Sequence, residues 1–405
     1  MKIIEIGTGY TSIPANKGAA TEIVVDCLSC SLIKLGHDVT VVDIEDQNRL
    51  PTKLPIVEVK MPQGFSATDE ALGIKHKLKR VIYSVALAKT LKRMLATLPA
   101  DEHVVLHFHN QYNAFFFYKL VPAKLREKAM VAYTCHSYIW HNDWDKIEGV
   151  VKKRYFQEVD AMRRADVVFT LNEDAREKIV NRVGVPADRV VLIDNGVDVD
   201  VYRPLSAGEI ERLRASMGLA GVRALIQVGS VCDRKNQLGA LQMLEPLMQQ
   251  REDLVYLYAG GIIDEEYKAS IDEFAASHGI VERVRYLGEL KPGKDLNEYY
   301  NVATCGVFTT KAEAFSLVVI ESMASGCPVL IDAALQSDLI EPLKYSNPDE
   351  FRVQVKRLLT DEGYAAARSA SSRTEAAFQY SWDKVAGDYL RGFSGARWIV
   401  EDGGC

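Results

Sequence analysis

Long apolar runs are missing from this 405-residue chain: no stretch of about 18 apolar residues occurs, so no membrane-spanning helix is expected. Its start, Met1-Lys2-Ile3-Ile4-Glu5-Ile6, turns acidic too early for a secretory signal. An excess of positive charge is missing too. The net charge of −6 argues against a general nucleic-acid partner. Cysteine is sparse: the seven are scattered, and an odd number without a signal suits reduced thiols in the cytoplasm. Cys27-x-x-Cys30 is the one close pair, and it falls inside a helical pattern with no second pair, so neither zinc nor another metal is expected. Acid is missing from residues 71–100, where Lys75, His76, Lys77, Lys79, Arg80, Lys89, Lys92 and Arg93 sit among Leu78, Val81, Ile82, Val85, Leu91 and Leu95. That pattern is a basic amphipathic helix. It suits peripheral docking on an anionic membrane through residues 75–93, and equally an ordinary helix whose apolar face is core.

What is present describes an α/β protein. At this length two domains are the expectation. Lys2 to Ile6 reads as a strand, Ala20 to Leu35 as a helix and Val39 to Val42 as the next strand, a Rossmann-like start. Gly7-Thr8-Gly9 lacks the third glycine of a dinucleotide fingerprint, and Asp43 comes too late for its ribose acid, which excludes a dinucleotide oxidoreductase. Further strands are expected at 103–108, 130–134, 166–170 and 189–193. A turn at Asn195-Gly196 follows, and then a second alternation with strands at 223–228, 254–258, 284–287, 305–308 and 329–331. His107 and His109 alternate out of one strand end, and His136 follows another.

The densest chemistry lies at the penultimate of these strands. Cys305-Gly306-Val307-Phe308 ends in Thr309-Thr310, and Ser316 stands as N-cap before a helical pattern from Leu317 to Ala324. Gly326 and Pro328 end that helix before Val329-Leu330-Ile331. A helix start offers unpaired amides to a phosphate. Glu313 lies before it and Glu321 on it, so a diphosphate there would have a carboxylate on either side. The same spacing also suits a loop acid and a helix acid that pair locally.

Glu313-Ala314-Phe315-Ser316-Leu317-Val318 through Glu321, with Met323-Ala324-Ser325-Gly326-Cys327-Pro328-Val329, resembles the E-x7-E signature of retaining glycosyltransferases, family 4 above all. The resemblance implies a GT-B fold: two Rossmann-like, doubly wound lobes facing a central cleft, with a C-terminal helix crossing back. The lobes would be residues 1–198, completed by 380–405, for the acceptor, and 199–379 for the nucleotide-sugar. It implies catalytic roles for Glu313 and His136, the latter in Thr134-Cys135-His136. Gly229, Ser230, Arg234 and Lys235 would form a donor-phosphate loop, joined by Phe315, Ser316, Leu317, Val318 and Glu321. Lys17, Gly18 and Ala19 match the acceptor loop, with one glycine where the family often has two. Ser230 replaces a usual arginine, with Arg234 an open alternative for the missing charge, and the loop after Ile331 is shorter than usual.

The activity implied is retaining, metal-independent and cofactor-free transfer from a nucleotide-diphosphate-sugar, a co-substrate, to a sugar, lipid-linked or small-molecule hydroxyl. Ser230 and the short loop leave two alternatives open: a silent nucleotide-sugar-binding or partner protein, and a nucleotide-sugar epimerase.

Overall fold

The computed structural model describes residues 1–15, 19–67, 73–99, 101–136, 150–311, 315–335 and 341–395, with the side chains of 150–155 left aside. Lys17, Gly18, Glu313, the 336–338 part of the shortened loop and the tail from 396 lie outside the described residues. The chain divides into two compact units. One holds Met1–Asn195 and the chain from Trp382, the other Gly196–Ser381.

The first unit runs β1 (Lys2–Ile6), α1 (Ala20–Lys34), β2 (Asp38–Ile44), β3 (Ile56–Val59), α2 (Gly73–Thr97), β4 (Val104–Phe108), α3 (Gln111–Leu120), α4 (Ala123–Arg126), β5 (Ala129–Cys135), α5 (Val150–Arg164), β6 (Val167–Thr170), α6 (Glu173–Lys178) and β7 (Val190–Leu192). The second runs α7 (Ala207–Ser216), β8 (Arg223–Val228), α8 (Gln237–Gln250), β9 (Leu254–Ala259), α9 (Glu265–Ser277), β10 (Val284–Tyr286), α10 (Lys294–Val302), β11 (Cys305–Phe308), α11 (Leu317–Ala324), β12 (Val329–Asp332), β13 (Leu343–Tyr345), α12 (Pro348–Thr360) and α13 (Glu362–Gln379). After it α14 (Trp382–Gly395) returns to the first unit.

Both sheets are parallel, and their central strands, such as β4, β5, β9 and β11, are buried along their whole length. Strand order is β3-β2-β1-β4-β5-β6-β7 in the first and β10-β9-β8-β11-β12-β13 in the second. Each order reverses once, between β1 and β4 and between β8 and β11. In open parallel sheets the crevice beyond the strand ends at that reversal is where ligands bind.

The first core joins Ile4, Ile6, Leu106, Phe108, Val131 and Val168 of the sheet to Leu87, Leu91 and Leu95 of α2 and Met162 of α5. Fully burying one such leucine stabilises the unit by roughly 1.5–3 kcal/mol. Leu78 and Val81, two of the apolar residues of the basic stretch, are instead exposed, and Lys79 is buried. The helix turns Lys79, Tyr83, Leu87 and Leu91 inward.

The second sheet is covered on one face by Leu241, Leu244, Ile271 and Phe351 and on the other by Leu296, Ile320 and Met323. Helix α14 packs along α1, where Lys34 pairs with Asp383. A Cβ on Gly392 would come within 2.4 Å of the Phe169 ring, so glycine lets α14 close onto β6. Tyr389 and Phe393 bury themselves in the last turns of α14, which runs to Gly395. Among the described residues no helix is long and apolar enough to cross a membrane.

Candidate active site

In the second unit the reversal between β8 and β11 carries the loops that hold the sequence's donor-side candidates. Gly229 follows β8 with φ 151°, and Gly260 follows β9 with φ 143°. A Cβ on Gly260 would stand 2.2 Å from the Gly229 carbonyl oxygen, so the two backbones meet where only glycine fits. Gly229 N–H donates to the Ala259 carbonyl, and Gly260 N–H to that of Gly288.

Ser230 lies half-buried after Gly229, and its carbonyl accepts from Gln237 Nε2 at 3.0 Å. Asp233–Lys235 then makes one 3-10 turn ending on left-handed Asn236 (φ 57°). Thr309 Oγ1 donates to the Asn236 carbonyl at 2.9 Å, Thr310 Oγ1 to that of Arg234 at 3.1 Å, and Lys311 N–H to Arg234 at 2.9 Å. Gln227 Nε2 donates to the Lys235 carbonyl at 2.7 Å, held in turn by the Tyr256 hydroxyl. The loop after β8 and the loop after β11 are therefore one laced structure. Lys235 lies across Gly229, its Nζ 5.4 Å from the Phe308 ring centre, while Arg234 is exposed.

Helix α11 starts beside this loop pair. Ser316 occupies the N-cap position with extended backbone, but its side chain makes no capping hydrogen bond. The sequence expectation of a capping serine is corrected in that respect, and among the described residues no side chain caps the amides of Leu317 and Val318. Phe315 packs 6.0 Å from Tyr380.

Glu321, one turn on, is only 9% exposed. Burial pushes its carboxyl up to about 7, against the Tyr202 hydroxyl, which hydrogen-bonds to it. Tyr202 also accepts from Gly293 N–H at 2.9 Å. Sequence reasoning gave Tyr202 no role at the site. Its one signal is an aromatic just past the Asn-Gly turn.

In the first unit the reversal between β1 and β4 carries the histidines. Glu5 and His107 are register partners on these strands. His107 Nδ1 lies 3.0 Å and His109 Nε2 2.8 Å from the Glu5 carboxylate. His107 Nε2 is 2.7 Å from Thr134 Oγ1, and His109 Nδ1 is 2.8 Å from His136 Nε2.

Glu5 and His107 are fully buried, His109 nearly so, and His136 partly. Burial first, then the His109 and His107 imidazoles, hold His136 well below the usual histidine range. Glu5, His107 and His109 offer ligand atoms within 4.8 Å of one another, yet each of these atoms is already a hydrogen-bond partner of another. Sequence reasoning placed the histidines and missed Glu5. The signal available was an acid at the end of an otherwise apolar strand.

Ala19 is the uncapped N-cap of α1. The Arg80 guanidinium lies 4.9 Å from the Tyr10 ring centre and 5.5 Å from that of Tyr112.

Residues 21–201 match the family model described as Glycosyltransferase Family 4, and residues 210–374 the one described as Glycosyl transferases group 1. The chain belongs to the family 4 glycosyltransferases. This glycosyltransferase is 24% identical over 321 residues to an uncharacterised glycosyltransferase of Methanocaldococcus jannaschii, covering 75% of this chain and 78% of that one. It is 24% identical over 377 residues to the O-antigen chain mannosyltransferase B of Escherichia coli, covering 84% and 91%. The Anabaena HepE structure in complex with UDP and glucose superposes with a TM-score of 0.70 at 15% identity, over 97% of this chain and 99% of that one. The fold class is GT-B, with two Rossmann-like parallel-sheet units.

Proposed function

We propose that this glycosyltransferase moves a hexosyl group from a nucleotide-diphosphate-sugar to a hydroxyl acceptor with retention at the anomeric carbon, without a metal ion. The observation that carries the reading is the laced pair of loops at the β8–β11 reversal beside the start of α11, whose N-cap Ser316 makes no capping hydrogen bond. The α11 amides and Lys235 would take the diphosphate, with Gly229, Ser230 and Arg234 lining the loop. Glu321 would accept from the ribose hydroxyls, as carboxylates do. The HepE structure in complex with UDP and glucose supports a nucleotide-sugar donor.

In the reaction the bond from the anomeric carbon to the diphosphate oxygen breaks, and its electron pair stays on the leaving diphosphate. The acceptor oxygen bonds to the same face, and its proton passes to the leaving phosphate oxygen. Lys235 and the helix amides favour the transition state by offsetting the charge that develops there. Glu313, outside the described residues, and His136 would orient the sugar. The acceptor would meet the first unit, near Lys17, Gly18 and Ala19.

The test is turnover of UDP-, GDP- and ADP-sugars with product NMR and a parallel rate in EDTA. A retained linkage and an unchanged rate are expected. An inverted linkage, or activity abolished by chelation and restored by a divalent ion, refutes the mechanism. Nucleotide binding with no turnover would return the silent alternative. Glu313→Gln should lower kcat more than donor affinity.

A lipid-linked acceptor is the second half of the proposal. Ile74, Leu78 and Val81, spaced for one helical face, are exposed on α2 beside the exposed Lys75, Lys77, Lys89, Lys92 and Arg93. Such a face suits peripheral contact with an anionic membrane.

A further inference from the structure

The Glu5 carboxylate receives two imidazoles, and the identity of each proton follows from it. An ionised carboxylate only accepts hydrogen bonds, so His107 Nδ1 and His109 Nε2 both donate to it. Burial alone would raise the Glu5 pKa, but in the acid range where Glu5 would take its proton the imidazoles are charged, and that charge and their hydrogen bonds outweigh burial and hold the group at about 2. Burial, then the charge of His107, lowers His109 to about 4 against the pull of Glu5, so its ring is neutral. A neutral imidazole carries one proton. That of His109 is on Nε2, so its Nδ1 is a bare lone pair. The atom 2.8 Å from that lone pair is His136 Nε2, which must be the donor. His136 is thereby left with an unprotonated Nδ1, which bonds to no other group among the described residues.

We propose that Glu5 is a positioning residue of this glycosyltransferase, acting through His109 to hold His136 as the tautomer protonated on Nε2, with Nδ1 presented to a substrate hydroxyl. The inference rests on the reading of His136 as part of the transfer site. A hydroxyl that meets His136 must then donate to Nδ1 rather than accept, which selects one orientation of the sugar or acceptor. The far end of the chain is fixed: Thr134 Oγ1 lies 2.7 Å from His107 Nε2 and 3.4 Å from the Tyr389 hydroxyl. Tyr389 and Phe393 of α14 pack their rings 5.2 and 5.5 Å from that of His107. The carboxylate therefore cannot turn from His109 without loosening its bond to the fixed His107 ring or leaving a buried oxygen unpaired.

The full chain labelled with 15N-histidine tests this, with His136 assigned by the signals lost in His136→Gln. Expected is a single neutral His136 tautomer protonated on Nε2, with nitrogen–nitrogen coupling across the hydrogen bond to His109 Nδ1. In Glu5→Gln the carboxamide can donate to His109 and reverse the chain, so His136 should show both tautomers. There kcat should fall about 100-fold while KM for the donor stays within about twofold. His107→Gln, on the other side of the carboxylate, should leave the His136 tautomer unchanged.

A wild-type His136 protonated on Nδ1 overturns the inference, and so does an unaltered His136 spectrum in Glu5→Gln. A divalent ion bound stoichiometrically to the purified protein and lost in Glu5→Gln overturns it too, since the three side chains would then be ligands. The tautomer is read without turnover, so a wild type that transfers no sugar counts against the proposed function alone.

Discussion

Replacing Glu321 by glutamine should make this glycosyltransferase more stable at alkaline pH and worse at binding its donor. The carboxyl is raised from 4.5 to about 7 by burial. A group that keeps its proton to higher pH when folded lets stability fall as pH rises, here between about 4.5 and 7, and costs a constant amount above. The difference of about 2.5 pH units, at about 1.4 kcal/mol each, is about 3.5 kcal/mol in full, of which about 3 kcal/mol falls between pH 4.5 and 8. Glu321→Gln keeps the shape and removes that dependence. Its gain over wild type should therefore be about 3 kcal/mol larger at pH 8 than at pH 4.5. For a unit of this size the gain amounts to roughly 6–12 °C in Tm.

Calorimetry of both proteins at the two pH values isolates the residue, because other buried acids such as Glu22 and Asp43 cancel in the double difference. The same carboxyl, if ribose hydroxyls donate to it, must ionise as nucleotide binds. About half a proton should then leave at pH 7, measurable by titration calorimetry in buffers of different ionisation enthalpy. A double difference below about 1 kcal/mol would refute the burial argument. No proton release would refute the ribose contact.

Lys235→Ala should weaken nucleotide diphosphate binding by about 1.5–3 kcal/mol, roughly 10- to 150-fold, in a protein with unchanged circular dichroism. Unchanged affinity would remove the loop after β8 from the donor site. Gly260→Ala places a Cβ 2.2 Å from the Gly229 oxygen, so it should cost about 2–4 kcal/mol and abolish nucleotide binding. A Tm within about 2 °C of wild type would show that the two loops are not held as described. Binding to anionic liposomes should decline with salt, since each near-surface Lys or Arg gives about 1 kcal/mol and is screened. Leu78→Asp should reduce it further, and indifference to such liposomes at low salt would leave α2 an ordinary surface helix.

The residues themselves determined whatever depends on near neighbours. The strand Cys305–Phe308, the helix Leu317–Ala324 and the strand from Val329 were legible because an apolar run, a glycine at φ 77° and a proline act within a few residues. The same holds for β8, whose ends lie where the pattern put them. The strand Ile56–Val59 and the helix Gln111–Leu120 escaped notice. The first is four residues long at a sheet edge, and the second carries aromatics that suit a strand equally well.

Strand order, and with it the two reversals where the candidate residues gather, belongs to the tertiary structure alone, since pairing β1 with β4 joins residues about a hundred positions apart. Glu5 is an unremarked acid until that register sets it against His107 and His109. Glu321 was visible as a motif residue. Its raised pKa and its Tyr202 partner exist only once α11 is packed against the segment after the Asn-Gly turn. Local periodicity encodes elements because its forces act within a turn or two. Burial, charge and proton placement come from groups brought together by folding, so the third dimension decided them.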